Sequence, residues 1–310
     1  MIFAALDVGT NTTLMLVAEA ENNAVHPLAE MSRITRLGRG VDSNHMLDAT
    51  AAARTADAIT DFAQRARELG ARKFLSAATS ALRDAGNGAE FVAEVKRRAG
   101  LNLEIISGET EAELCHLAAI KGLELELAAK MLIVDIGGGS TELIRCEPGR
   151  KVDLTSPQIG SVRLSERLVH HDPPSAREGA ELRVTIDQSL RDMQWDFEPD
   201  VMVGIAGTVV TVCAVALGLA SYDAKIVHGH HLPQSEVLRV LARFGAVTLE
   251  ERREIPGLEE GRADVIFAGT AILERVMGHF DMSEVIVSDQ GVRWGLVWRA
   301  LESLQSHDQS

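Results

Sequence analysis

The chain has 310 residues, 46% apolar and 25% charged, which is the balance of a globular protein with room for two cores and excludes a disordered or fibrous one. Its 31 Lys and Arg stand against 45 Asp and Glu, a net charge of −14. That charge excludes a general binder of nucleic acid or of anionic membrane, both of which need a basic surface, so neither partner is expected; an anionic small molecule stays admissible where local arginines or a divalent cation neutralise it. Cys115, Cys146 and Cys213 are odd in number and lack metal spacing, as in a reduced, cytoplasmic protein. Met1 to Leu6 leads into a strand with no basic flank or cleavage site, so no signal peptide is expected.

The first forty residues predict paired strands. Ile2 to Leu6 is apolar, Asp7-Val8-Gly9-Thr10-Asn11-Thr12 is turn chemistry, and Thr13 to Ala18 is apolar again. A helix is predicted over Ala49 to Leu69, apolar at Ala52, Ala56, Ile59, Phe62, Ala63 and Ala66 and closed by Gly70. A strand at Phe74 to Ala78, a helix at Ala89 to Arg98, a strand at Leu103 to Ser107 and a helix from Glu109 to about Lys121 follow. The opening pattern then returns. Met131 to Val134 is a strand, Asp135-Ile136-Gly137-Gly138-Gly139-Ser140 a glycine turn, and Thr141 to Cys146 a second strand. Asp7 and Asp135 lie 128 residues apart, and both copies have the form strand, Asp-x-Gly-x-x-[Ser/Thr], strand.

That period is too long for a solenoid and implies two domains of related architecture, 1–122 and 123–310, joined near Gly122 to Lys130. Helices at Val162 to Val169, Arg177 to Asp192 and Gln234 to Phe244 are predicted, with a strand at Val201 to Ala206, a long helix at Arg262 to Phe280, a strand at Glu284 to Ser288 and a last helix at Val292 to Leu304. The alternation makes an α/β protein with helices packed on mostly buried sheets. Val201 to Ala220 is uncharged and long enough to span a bilayer. Gly204, Gly207, Thr208 and Thr211 interrupt it and no basic cluster flanks it, so a buried strand, a glycine turn and a buried helix at Thr208 to Leu219 are expected instead.

Several residues have chemistry to offer. A turn of small residues between two strands aims backbone N–H groups into one concavity and so binds phosphate oxygens. Gly9, Thr10 and Asn11 form one such turn; Gly138, Gly139 and Ser140 form the other, with hydroxyl donors at Ser140 and Thr141. Asp7 and Asp135 end their strands beside these turns, where a carboxylate can hold Mg2+, with Mn2+ the alternative. Two clamps facing across a cleft would suit a polyanion. Glu142 shares a strand face with Ser140 and is a candidate second metal or water-positioning carboxylate. In Ser107-Gly108-Glu109-Thr110-Glu111-Ala112-Glu113-Leu114 the acids complement a helix dipole, and Glu111 would serve as a general base if the helix opens at the cleft. Arg83 follows a strand in Thr79-Ser80-Ala81-Leu82-Arg83 and is either a solvated loop residue or a bidentate phosphate partner. Gly207 and Thr208 open a helix with N–H groups able to meet phosphate. Arg33, Arg36 and Arg39 suggest an exposed basic strip, and His228, His230 and His231 lack the further ligands of a zinc site.

Taken together, Asp7 to Thr12, Thr79 to Arg83, Ile105-Ile106-Ser107-Gly108 through Glu111-Ala112, and Val134-Asp135-Ile136-Gly137-Gly138-Gly139-Ser140-Thr141-Glu142-Leu143 resemble the exopolyphosphatase/guanosine pentaphosphatase family, a branch of the actin, sugar-kinase and chaperone-ATPase superfamily. The likeness continues through Gly204 to Thr208, Arg262-Ala263-Asp264 with Gly269, and Ser288 to Gly295. The resemblance implies two ribonuclease-H-like domains with the active site in the cleft between them. It implies Glu111 as the base, Arg83 as a phosphate-binding arginine, and Asp135 and Glu142, with Asp7 as a further candidate, as carboxylates associated with Mg2+. The activity implied is hydrolysis of the terminal phosphoanhydride of inorganic polyphosphate, short chains favoured, or of pppGpp. A non-catalytic guanosine-polyphosphate or polyphosphate sensor, a sugar or acid kinase and a chaperone-like or filament protein are the other readings, and a homodimer is expected. Thr110 stands where family members often have Glu, which removes a charge beside Glu111. The chain lacks the C-terminal helical domains of the long members, so strong processivity on very long chains is not expected.

Overall fold

The structure is a computed structural model that describes every residue except 22, 124, 126–128 and 309–310. The chain forms two compact units, one of Met1–Lys121 with Gln290–Ser310 and one of Gly122–Asp289. The expected join at Gly122 to Lys130 falls partly outside the described residues.

Unit 1 runs β1 (Ile2–Val8), β2 (Thr12–Glu21), β3 (Ala24–Ile34), α1 (Val41–Asn44), α2 (Ala49–Glu68), β4 (Lys73–Ala78), α3 (Ser80–Arg83), α4 (Gly88–Ala99) and α5 (Gly108–Leu123). Unit 2 follows with β5 (Met131–Ile136), β6 (Thr141–Cys146), β7 (Asp153–Thr155), α6 (Ser161–Leu168), α7 (Ala176–Asp192), β8 (Val201–Ile205), α8 (Ala206–Ala216), α9 (Ala224–Val227), β9 (His231–Pro233), α10 (Gln234–Ala246), α11 (Leu249–Arg253), α12 (Ile266–His279) and β10 (Glu284–Val287). The chain then returns to unit 1 as α13 (Val292–Asp308).

Among the described residues unit 1 carries a sheet in the order β3-β2-β1-β4, antiparallel except for the parallel pair β1–β4. Unit 2 carries the order β7-β6-β5-β8-β10-β9, parallel through β5, β8 and β10. The two sheets begin alike: in each, an apolar strand turns back on an antiparallel partner through an Asp-x-Gly hairpin and pairs in parallel on its other side. Gly9 N donates to Thr12 O at 3.1 Å in the first copy, and Gly137 N to Ser140 O at 3.0 Å in the second.

Helix α2 buries Ala56, Ile59, Phe62, Ala63 and Ala66 against the unit 1 sheet, and the Asp48 carboxylate caps its start by accepting from Ala51 N at 2.9 Å. On the other face of that sheet, α13 packs Trp294, Val297 and Leu301 against Phe3, Ala5 and Leu16. This helix, placed with residues 123–310 by its position in the chain, therefore completes the core of unit 1: strands β1 and β2 are apolar on both faces and need cover on both. The expected strand at Leu103 to Ser107 is reduced to one bridge, Ala78 to Ile105, because the chain turns into α5 at Gly108. The uncharged stretch divides as expected into β8 and α8, and no described helix is long and apolar enough to cross a membrane. The long helix begins at Ile266 rather than Arg262, which lies in a single 3-10 turn over Glu260–Arg262.

Candidate active site

In unit 1 the chemistry collects at the C-terminal ends of the parallel pair β1 and β4, the usual ligand edge of an open α/β sheet. Asp7 ends β1. The apolar strand around it pushes its carboxyl up to about 6, against the pull of the Arg293 guanidinium on α13. Thr10 and Asn11 form the turn, and their carbonyls are held from the opposite side: Thr35 N and Arg36 N both donate to Asn11 O at 2.9 Å, and Gly38 N to Thr10 O at 2.9 Å. The Thr10 hydroxyl meets that of Ser80, the first residue of α3, at 2.9 Å. One turn later Arg83 Nη1 donates to Ile106 O at 2.9 Å and to Glu111 Oε2 at 3.3 Å. Glu111 lies in the first turn of α5 and is 7% exposed, so the structure joins the Arg83 and Glu111 motifs, which lie 28 residues apart in the chain. Ser107 caps the same turn through its hydroxyl, which accepts from Thr110 N at 3.1 Å and hydrogen-bonds the Thr110 hydroxyl. Thr110, which brings no charge beside Glu111, takes part in this cap.

In unit 2 the same edge is formed by β5 and β8. Asp135 sits directly across from Glu142 in the β5–β6 register, which puts both carboxylates on one face of the sheet. Glu142 is 6% exposed; its Oε1 accepts from Ser140 Oγ at 2.6 Å and Ser156 Oγ at 2.9 Å. The Thr141 hydroxyl donates to Ile159 O. The hydroxyls expected to reach a ligand at this turn are thus spent inward, and what Gly138, Gly139 and Ser140 offer outward is backbone N–H. Gly207 and Thr208 open α8 beside the turn, and Thr208 Oγ1 donates to Ile136 O at 3.1 Å. Ala206, the first residue of α8, has φ of 66°, a left-handed conformation that costs a residue with a Cβ about 1 kcal/mol or more.

The first copy lacks the acid pair of the second. Asp7 faces Leu14 where Asp135 faces Glu142. Among the described residues no group of three or more His, Cys, Asp and Glu is gathered tightly enough to enclose a metal on protein ligands alone. An all-oxygen pair such as Asp135 and Glu142 suits a hard cation that keeps part of its water shell and shares phosphate oxygens, as Mg2+ or Mn2+ does. Asp7 belongs to the other unit and is not part of that pair.

Three residues beside these turns were given no role by the sequence. Arg262 lies against Gly207 so closely that a Cβ there would be 2.3 Å from its Nη1. Arg163 Nε donates to Gly139 O at 2.6 Å. Gly160 leaves no room for a side chain, since a Cβ would be 2.3 Å from Gly138 O. None has a spacing that marks it, and the strand-to-helix turn at Gly207 was the one hint in the sequence. Of the remaining candidates, Arg33 pairs with Asp61 at 2.8 Å on the surface, while His228 bonds Asp289 at 3.0 Å and Gly122 O at 3.1 Å.

Residues 16–304 match the Ppx/GppA phosphatase family. Exopolyphosphatase 2 of Mycobacterium tuberculosis is 35% identical over 286 residues, covering 88% of this chain and 89% of that one. The guanosine-5'-triphosphate,3'-diphosphate pyrophosphatase of Vibrio parahaemolyticus is 29% identical over 316 residues, 99% of this chain and 61% of the relative. Among solved structures, the Aquifex aeolicus member of the Ppx/GppA family superposes with a TM-score of 0.83 at 29% identity, covering 99% and 98% of the two chains. An exopolyphosphatase from Cytophaga hutchinsonii shares the fold at a TM-score of 0.89 and 24% identity, with 98% of each chain covered. With its twin hairpins, its two α/β units and these relatives, the chain belongs to the Ppx/GppA phosphatase family, has that family's two-domain actin-like ATPase fold, and is by class a phosphoanhydride hydrolase.

Proposed function

We propose that the protein is an Mg2+-dependent exopolyphosphatase that hydrolyses the terminal phosphoanhydride of short inorganic polyphosphate, with Glu111 as the base that activates water. The observation that carries this reading is the pair of Glu111 and Arg83, a buried carboxylate in the first turn of α5 with a guanidinium 3.3 Å away. A proton acceptor and a phosphate-binding cation are thus held within one phosphoryl group's width of each other. The similarity to a mycobacterial exopolyphosphatase at 35% identity supports polyphosphate as the substrate. The similarity to a guanosine-5'-triphosphate,3'-diphosphate pyrophosphatase over 99% of the chain supports pppGpp as the second reading.

In this reading Glu111 takes a proton from a water as its oxygen forms a bond to the terminal phosphorus. The bond from that phosphorus to the bridging oxygen breaks, and the shortened chain leaves with the electron pair. Arg83 fixes the equatorial oxygens, and a glycine turn such as Gly138 to Ser140 offers its backbone N–H groups to the phosphates. Phosphoryl transfer rests on such positioning and on charge stabilisation more than on covalent help from the protein. Asp135 and Glu142 would hold the divalent cation, whose charge, when bound, offsets that of the phosphate oxygens in a protein of net charge −14. The test is phosphate release from short polyphosphate, pppGpp and ATP, with and without Mg2+. Glu111→Gln should lower kcat by about 10² to 10⁴-fold while leaving substrate binding in place. Release from pppGpp alone would select the second reading. Binding without release by the wild type would make the protein a sensor.

A further inference from the structure

Helix α6 begins where the glycine turn of unit 2 ends its work, and the contact between them is made of hydrogen bonds. A helix start leaves its first N–H groups without intrahelical acceptors, and no side chain caps α6. The acceptors are the turn's own carbonyls. Ser161 N donates to Gly137 O at 2.9 Å, and Val162 N and Arg163 N donate to Gly138 O at 2.9 and 3.0 Å. Arg163 Nε reaches the next carbonyl, Gly139 O, at 2.6 Å. Three successive carbonyls of the turn are therefore captured from one side.

A trans peptide is planar, and its C=O and the following N–H point in opposite directions. Holding Gly137 O, Gly138 O and Gly139 O toward α6 turns the N–H groups of Gly138, Gly139 and Ser140 away from it. Consecutive N–H groups aimed alike form an anion-binding concavity. Gly160 makes the approach available, because any Cβ there would strike the Gly138 carbonyl. Unit 1 repeats the device on its own turn: Thr35 N, Arg36 N and Gly38 N take the carbonyls of Asn11 and Thr10, and Gly38 lies where a Cβ would be 2.3 Å from the Thr10 methyl.

We propose that α6, through Arg163 and Gly160, is the template that aims the Gly138–Ser140 N–H groups at the substrate's phosphates, with Arg163 as a positioning residue that sets the Gly139–Ser140 peptide. The inference rests on the phosphate-binding reading of that turn and assigns its orientation to residues outside it. Loss of one aimed donor in an oxyanion-type site costs about 10² to 10³-fold in kcat. With the other two carbonyls still held, Arg163→Met should cost about 10- to 100-fold in kcat, and less in KM.

The experiment follows the amide resonances of Gly138, Gly139 and Ser140 on addition of tripolyphosphate, together with phosphate release and the melting temperature. The proteins compared are the wild type, Arg163→Met, Gly160→Ala and, as a control on the same helix, the exposed Glu166→Ala. In the wild type all three amides should shift. In Arg163→Met the Ser140 response should be lost and that of Gly138 kept; in Gly160→Ala the loss should extend to Gly139. Glu166→Ala should match the wild type. Should either positioning variant misfold, the other decides. A Ser140 response and a kcat of Arg163→Met both within about twofold of the wild type would overturn the proposal, as would wild-type amides that ignore tripolyphosphate. If the amides respond as expected but the wild type releases no phosphate from any substrate, the template stands and the hydrolase reading falls. If phosphate is released while Arg163→Met behaves as the wild type, the reverse holds.

Discussion

Asp7 carries an electrostatic cost that a purely structural residue would not. Its folded-state value of about 6 stands above the ordinary 3.8, because burial disfavours the ionised form more than Arg293 favours it. The protonated carboxyl is the comfortable one, so the cost is absent below about pH 4, grows between about pH 4 and 6, and is complete above that. Asp7→Asn should therefore raise the melting temperature of the metal-free protein at pH 7.5 and leave it unchanged near pH 4. At this chain length each kcal/mol recovered appears as about 2–4 °C. A variant less stable than the wild type at pH 7.5 would refute this account. Burial also pushes the thiols of Cys146 and Cys213 up to about 12, so neither behaves as a reactive thiolate in the folded protein.

The elements that position the site are short and borrow their stability from neighbours. Helix α3 has four residues, yet it holds Arg83 because Arg83 N and Leu82 N both donate to Thr79 O, at 3.1 Å each, and its guanidinium ties to Ile106 O. Helix α13 is longer and contributes a face rather than a cap. Leu301 is 5% exposed among Trp294, Val297, Phe3 and Leu16, and Leu301→Ala should cost about 2–5 kcal/mol of folding stability, measured by denaturant unfolding. The same helix carries Arg293, which bonds Glu30 at 2.6 Å and pulls on Asp7, so a loss of packing there should also alter the acid at the end of β1.

At the scale of the whole molecule, each unit carries its own candidate chemistry, Arg83 and Glu111 in unit 1 and Asp135 and Glu142 in unit 2. Arg83→Ala in unit 1 and Glu142→Gln in unit 2 supply the test. Each should lower kcat/KM for polyphosphate by about tenfold or more, and a variant within about twofold of the wild type would remove that residue from the proposed site. A net charge of −14 repels a polyanion at long range, so under the proposed function recognition would fall to local N–H groups, Arg83 and a cation at the acid pair rather than to a basic surface.

Much of this was legible along the chain. The apolar runs around Asp7 and Asp135, their identical turn pattern and the alternation with amphipathic helices determine an α/β protein with a duplicated hairpin, because period and turn chemistry are local properties of the backbone. The motifs of Arg83, Glu111 and Glu142 were likewise visible as residues. Their partners were not. That Ser140 spends its hydroxyl on Glu142, that Arg83 reaches Glu111, that α13 covers the first sheet and that α6 seizes the carbonyls of a turn some twenty residues upstream are matters of which surfaces meet in space. Hydrogen-bond direction and close packing act between segments far apart in sequence, and only the tertiary structure decides which segments those are.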